Sequence, residues 1–231
     1  VGDAFELGSL LAKEIGGTLI LLRDTPTTVR IVDKDQTEFL TIDITSLKGS
    51  IVEDLSYRDF TIDALALPLE CLETDWTVDD VIDPLGGRSD LGKRIVRVTG
   101  DQVFQDDSVR LLRGVRIAAQ LKFTIEGITL KLMERDAPLL NRSASERVRD
   151  EFLGILAADG SLGYLHMMDK VGLLTGVFPE LEMGRDVEQP QEHHWDVLRH
   201  NIETTGTVDR IMGAGRLLVD NPVELVPWAD F

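Results

Sequence analysis

The chain has 231 residues, of which 43% are hydrophobic, and a formal net charge of −17 at pH 7, a composition that suits a soluble globular protein of one large or two small domains. Its apolar runs, such as 17–22 and 64–69, fall far short of the roughly 20 residues a bilayer crossing needs. A single cysteine, Cys71, excludes an intrachain disulfide or a cysteine cluster for zinc, and Val1-Gly2-Asp3-Ala4 lacks the pattern of a secretory leader, so a cytoplasmic location is expected.

Residues 5–14 place apolar side chains at helical spacing, and Gly16-Gly17 predicts where that helix stops. Three runs rich in β-branched and apolar residues follow, at 18–22, 28–32 and 39–45. Turn formers separate them, Asp24-Thr25-Pro26 and Asp33-Lys34-Asp35, which predicts an antiparallel meander packed with a helix. Beyond about Leu91 strand signals fade. Residues 106–122 carry a broad apolar face at helical period, with Asp106 and Asp107 in the first turn, where the helix dipole favours them. Further amphipathic helices are predicted over 128–136, over 145–158 with Ser145 as its cap, and over 161–174. The composition shifts at Asp83-Pro84-Leu85-Gly86-Gly87, and the expected organisation is 1–84, 85–158 and a helical 159–231. The fold class is α+β, a sheet-bearing head followed by an all-α remainder.

Two segments concentrate charge. Asp54-Leu55-Ser56-Tyr57-Arg58-Asp59-Phe60-Thr61-Ile62-Asp63-Ala64 follows an apolar stretch with an arginine and three aspartates. Alone it reads equally as a solvated face. In the second, Asp107 and Arg110 are three apart and so share a face of the predicted helix, with Arg113 and Arg116 continuing the ladder. A carboxylate beside a guanidinium offers acceptors and donors suited to the edge of a nucleotide base, and the later arginines suit phosphates. The same spacing also describes an ordinary intrahelical ion pair contributing a few tenths of a kcal/mol.

Together, the first segment resembles the RRDFTxNA motif of tRNA nucleotidyltransferases and bacterial poly(A) polymerases. Asp83-Pro84-x-Gly86-Gly87-x-x-Asp90-Leu91, Ile95-Val96-Arg97 and Phe104-Gln105-Asp106-Asp107-x-x-Arg110-Leu111-Leu112-Arg113 are similar to that family's downstream elements. Ser145-Glu146-Arg147 with Glu151 is similar to its next helix. The resemblance implies a polymerase-β-like head and a helical neck that select ATP or CTP without a template, with magnesium as cofactor. The implied partner is a tRNA 3′ end, with no DNA and no membrane involved. Carried over, Arg58 and Asp59 would touch phosphate and sugar, and Asp107 and Arg110 the base. Arg113 and Arg116 would help hold the nucleotide, while Asp106 and Glu146 would support the Asp107/Arg110 helix. The sequence departs from the pattern at Tyr57, Asp63 and Asp106, where the family has arginine, asparagine and glutamate. At Asp63 an added negative charge beside a triphosphate is unfavourable unless a metal or an arginine offsets it.

In this family a D-x-D metal pair lies on a strand leading into a Val-Gly like Val1-Gly2, so the chain is expected to start just beyond it and to lack turnover alone. Asp43 is the candidate third carboxylate of such a site, or a strand-edge residue facing water. Gln191-Glu192-His193-His194-Trp195-Asp196-Val197-Leu198-Arg199-His200 looks like the start of an HD-type phosphohydrolase domain, with His200 as a candidate ligand, but no His-Asp dipeptide accompanies it. The leading expectation is a nucleotidyltransferase that adds CMP or AMP to tRNA 3′ ends. The alternatives are a nucleotide-binding module without catalysis and the phosphohydrolase.

Overall fold

The computed structural model describes residues 3–32, 41–47, 49–73, 75–188 and 195–220. The chain packs as two compact units, Val1–Tyr57 and Arg58–Phe231.

In the first unit, helix α1 (Ala4–Ile15) starts where the Asp3 side chain accepts the Phe5 amide at 2.9 Å and ends at Gly16, whose φ of 71° closes the helix in the left-handed region. Strands β1 (Thr18–Asp24), β2 (Thr27–Val32) and β3 (Thr41–Thr45) form an antiparallel sheet in the order β1-β2-β3. Alternation on β2 buries Val29 and Ile31, while Arg30 between them faces away. The register sets Arg30 directly opposite Asp43 on β3. A short α2 (Ile51–Ser56) follows, opened by a capping box between Ser50 and Glu53. The predicted meander is present. Residues 39 and 40 of the third predicted strand lie outside the described residues.

The second unit opens with a bend at residues 58–59, a lone bridge from Phe60 to Val98 and a 3-10 turn at Thr61–Asp63. Then come α3 (Gly87–Lys93), β4 (Ile95–Val96), α4 (Val103–Asp106), α5 (Arg110–Leu121), β5 (Thr124–Ile125) and α6 (Gly127–Asp136). These are followed by α7 (Ser145–Leu156), α8 (Leu162–Lys170), α9 (Leu173–Val177) and α10 (Val197–Asp220). β4 and β5 pair in parallel over two residues each, too short to leave a periodic trace in the sequence. α5 is the central helix: Leu111, Leu112, Gly114, Val115, Ala118 and Ala119 are buried against Phe60, Phe104, Met133 and Ile155. The α+β class is as expected.

Three helix expectations change. The helix predicted over 106–122 starts later, at Arg110 of α5, because Asp107 adopts an extended backbone between α4 and α5 and its side chain accepts the Val109 amide at 3.3 Å. Aspartate competes in this way with the helical backbone and favours helix starts. The helix predicted over 161–174 divides at Gly172, whose φ is 75°. The cap of α7 is Ala144 without a side-chain bond, and Ser145 is the first helical residue.

Candidate nucleotide-binding site

The segment resembling the family motif begins in α2 of the first unit and continues into the second with Arg58. From Arg58 onward it is held by backbone bonds to residues 97–99. The Thr61 amide donates to the Arg97 carbonyl at 2.9 Å, the Thr99 amide donates to Asp59 at 3.1 Å, and the Thr99 hydroxyl donates to the Arg58 carbonyl. The Thr61 hydroxyl donates to Asp90 at 2.8 Å. Asp90 is buried and pairs with Arg97 at 2.9 Å, and Arg97 reaches Glu126 at 3.2 Å. The DPLGG and IVR elements therefore clamp the motif. Two glycines make the fit possible by close approach: a Cβ on Gly87 would lie 2.0 Å from the Thr61 carbonyl oxygen, and one on Gly114 of α5 would lie 2.8 Å from the Phe60 ring.

With the backbone fixed, Asp59 is buried and aimed at α5, where Arg113 Nη1 donates to it at 2.9 Å. Arg113 Nε donates to Glu151 of α7 at 3.2 Å, and Glu151 also accepts from Arg116, whose Nη1 donates to Gln120 at 2.8 Å. Burial works to raise the pKa of Asp59. The hydrogen bonds from Asp63 and Arg113 outweigh it and hold Asp59 below the usual carboxylate range. Asp63 accepts the Phe60 amide at 3.1 Å. The residue as a whole remains exposed, yet partial enclosure of its carboxyl, then the Asp59 bond and charge, raise Asp63 to about 7.

At the start of α5, Asp107 is half-buried and takes a two-pronged contact from Arg147 of α7, at 2.6 and 3.2 Å. Burial opposes ionisation of Asp107, but Arg147, the Val109 amide and the charge of Arg110 overcome it and lower its pKa. Arg110 sits beside it on the first turn, with Nη1 3.5 Å from the Val103 carbonyl. The structure thus gathers Asp59, Asp107, Arg110, Arg113 and Arg116 around the first two turns of α5, with Arg58 next to Asp59 on the bend that precedes Phe60. An acceptor and a donor lie side by side at the rim, on a framework of charged bonds.

Other predicted roles differ. Asp107 is not on the helix face with Arg110. Arg113 and Arg116 are taken up by Asp59 and Glu151. Glu146 is exposed, as is Asp106, and the braces from α7 are Arg147 and Glu151. The sequence holds a signal for Glu151, because it falls within the inward stripe Val148, Phe152, Ile155 of α7, where an acid requires a cation. In the first unit, both Asp43 oxygens accept from Arg30, each at 2.7 Å, and among the described residues no group of three His, Cys, Asp or Glu side chains could hold a metal ion. These residues do not fit a magnesium site. His200 lies on the first turn of α10, which starts where Asp196 accepts the Arg199 amide at 2.7 Å. His193 and His194 lie outside the described residues. An open depression of about 640 Å³, lined by Glu134, Ala137, Asp169, Gly172 and Arg185, includes none of the motif residues.

Residues 21–97 match the poly(A) polymerase head domain, and residues 122–184 match the family described as a probable RNA and SrmB-binding site of polymerase A. The chain is 33% identical over 203 residues to the CC-adding tRNA nucleotidyltransferase of Geobacter sulfurreducens, across 87% of this chain and 45% of that protein. The chain belongs to the tRNA nucleotidyltransferase/poly(A) polymerase family. Among solved family structures, the Thermotoga maritima CCA-adding enzyme complexed with tRNA superposes with a TM-score of 0.66 at 29% identity, over 82% of this chain and 43% of that one. A CCA-adding enzyme solved with ATP matches with a TM-score of 0.64 at 28% identity, over 82% and 44% of the two chains. The same TM-score of 0.64 is found for a CCA-adding enzyme solved with CTP, at 30% identity over 77% and 42%. The chain spans less than half the length of these relatives. Among the described residues, no helix is long and apolar enough to cross a membrane.

Proposed function

We propose that the protein is a template-independent RNA nucleotidyltransferase adding CMP or AMP to tRNA 3′ ends, and that this chain supplies its nucleotide-recognising portion. Residues 1–84 are the head, 85–158 the neck that meets the base, and 159–231 the start of the helical body. ATP and CTP are the substrates, the tRNA 3′ end is the acceptor, and the reaction belongs in the cytoplasm. Magnesium goes with this reading of the whole protein. No step is derived through it, since Asp43 is committed to Arg30.

The observation that carries the reading is the charged framework on α5. Asp107 is fixed from behind by Arg147 and stands next to Arg110, so one acceptor and one donor are oriented before any ligand arrives. A two-point contact of this kind discriminates against a wrong base by about 1–3 kcal/mol, roughly 10- to 100-fold. Asp59, locked to Arg113, presents its edge to sugar hydroxyls, and Arg58 at the exposed end of the segment meets phosphate. Arg113 and Arg116 support this arrangement through Glu151.

The test is CMP and AMP incorporation by the full-length protein into tRNA lacking its 3′ terminal nucleotides, alongside Asp107→Ala and Arg110→Ala with folding checked by circular dichroism. The reading expects incorporation that both variants reduce, with discrimination between CTP and ATP blunted. Nucleotide binding without any incorporation by the unmodified protein would instead identify a binding module.

A further inference from the structure

Asp107 and Arg110 are presented by a short turn that leads into α5. Asp107 is extended, and tight-turn bonds carry the chain from it into the helix. The Arg110 amide donates to the Asp107 carbonyl at 3.1 Å, and the Leu111 amide to the Ser108 carbonyl at 3.2 Å. Two links tie this turn toward α7. One is Arg147, which reaches the Asp107 carboxylate with a side chain half in solvent. The other joins the Ser108 and Ser143 hydroxyls at 2.7 Å, with either one able to donate. Ser108 falls at one of the two unspecified positions between Asp107 and Arg110.

The two links constrain different things. Arg147 has a long side chain with several rotatable bonds, so its guanidinium can follow a carboxylate that shifts. A serine hydroxyl moves by one side-chain rotation among staggered positions, so a direct hydroxyl pair holds two stretches of backbone at a narrow separation. The far end of the tie is itself anchored: the Ser143 amide donates to the Leu140 carbonyl at 3.0 Å, and Leu140 is buried in the core. Val109, which follows Ser108, is buried as well.

We propose that Ser108 and Ser143 are positioning residues for base selection: their hydroxyl pair pins the 107–109 turn to the entry of α7 and sets the spacing of the Asp107 acceptor and the Arg110 donor. The proposal rests on the nucleotide-site reading above. Both serines act through Asp107 and Arg110. Because both are half-buried, water can take the place of a lost hydroxyl partner, and little global stability depends on the bond. Selection is more sensitive to it. A carboxylate held in place accepts the amino group of cytosine or adenine and has no donor for the carbonyl that uracil or guanine presents there. That difference separates a right from a wrong base by roughly 10- to 100-fold. A turn released from one neutral hydrogen bond gives up about 2- to 10-fold of it.

The experiment measures kcat/KM of the full-length protein with CTP, UTP, ATP and GTP, and the urea midpoint. The proteins are wild type, Ser108→Ala, Ser143→Ala, the double Ser108→Ala/Ser143→Ala variant and Ser143→Thr. Each single alanine variant is expected to lower the preference for the amino-bearing base by about 2- to 10-fold, with the urea midpoint close to wild type. The double variant is expected to lose no more than either single one, because the same bond is absent from all three. Ser143→Thr, which keeps the hydroxyl, is expected to retain the wild-type preference. If wild type discriminates and both alanine variants discriminate equally well, the positioning role is overturned and the nucleotide-site reading stands. Losses that add in the double variant overturn the hydroxyl pair as their cause. A lower urea midpoint, with kcat/KM reduced equally for all four nucleotides, makes the bond a structural tie alone and also overturns the proposal. A wild-type protein that incorporates neither CMP nor AMP overturns the nucleotide-site reading, and the positioning role with it.

Discussion

Two arginine–carboxylate pairs in this molecule have similar hydrogen-bond lengths and different surroundings. In the first unit, Arg30 and Asp43 meet across β2 and β3 at 2.7 Å with more than two-fifths of each side chain in solvent. In the second, Arg113 and Asp59 meet at 2.9 Å with Asp59 almost fully enclosed, and the same guanidinium continues to Glu151. The exposed pair is screened by water and, among the described residues, closes no further bonds, so it contributes little. The enclosed one cannot be opened without stranding charge, so it fixes the position of everything attached to it. Bond length alone does not identify a working site. Enclosure and connection to further partners do.

The sharpest way to break the enclosed region acts on its backbone. Gly87→Ala would put a methyl 2.0 Å from the Thr61 carbonyl oxygen, with main chain on both sides of the clash. The expected loss is about 3 kcal/mol, at the upper end for overpacking, because neither side can yield by a rotamer change. Urea denaturation checks it, and a loss below 1 kcal/mol would mean that α3 does not clamp the motif.

Removing Glu151 takes the shared carboxylate from two guanidinium groups at once, leaving Arg113 with Asp59 and Arg116 with Gln120. Glu151→Ala is expected to lower stability by about 2–3 kcal/mol, below the roughly 3–5 kcal/mol of a fully buried pair because Arg113 and Arg116 keep partial contact with water. Glu151→Gln, which retains acceptor geometry, should lose less, and that ordering in denaturation midpoints separates lost charge from lost packing. At the rim, Arg147→Ala frees Asp107, which is already half open to solvent. Stability should fall by only about 1 kcal/mol, while selection between CTP and ATP by the full-length protein should fall more steeply. Equal effects on both would place Asp107 in the framework and not in recognition.

Much of this was legible in the sequence, because apolar periodicity is local. The α1 and α5 stripes and the β1–β3 meander all follow from residues a few positions apart. The charged pairs were less legible. Asp107 was read with Arg110, three residues away, whereas its two-pronged partner Arg147 is 40 residues on, and Asp59 meets Arg113 across 54. Such distances are set by how α5 packs against α7, which no local spacing encodes. The late start of the predicted 106–122 helix was hidden for a different reason: Val103 and Phe104 of α4 and Val109 carry apolar character across the gap before α5, and the side chain of Asp107 decides it.

Asp43 offers the gentlest test of the comparison. On β3 it looked like a metal carboxylate. In the fold its two oxygens serve Arg30, and the helix-covered face of the sheet, with Val29 and Ile31, is the opposite one. The pair holds Asp43 below the usual carboxylate range, chiefly through the Arg30 hydrogen bond, so what stability it gives is present above an unfolded aspartate's pKa near 4 and is lost as the pH falls through the lowered folded value. Asp43→Asn is expected to leave the denaturation midpoint nearly unchanged at neutral pH, as exposed pairs do. It is also expected to leave CMP and AMP incorporation by the full-length protein within a few-fold of wild type. A loss of several orders of magnitude, with the fold intact, would mean that Arg30 gives up Asp43 during the reaction, and would return that carboxylate to the catalytic role its strand position first suggested.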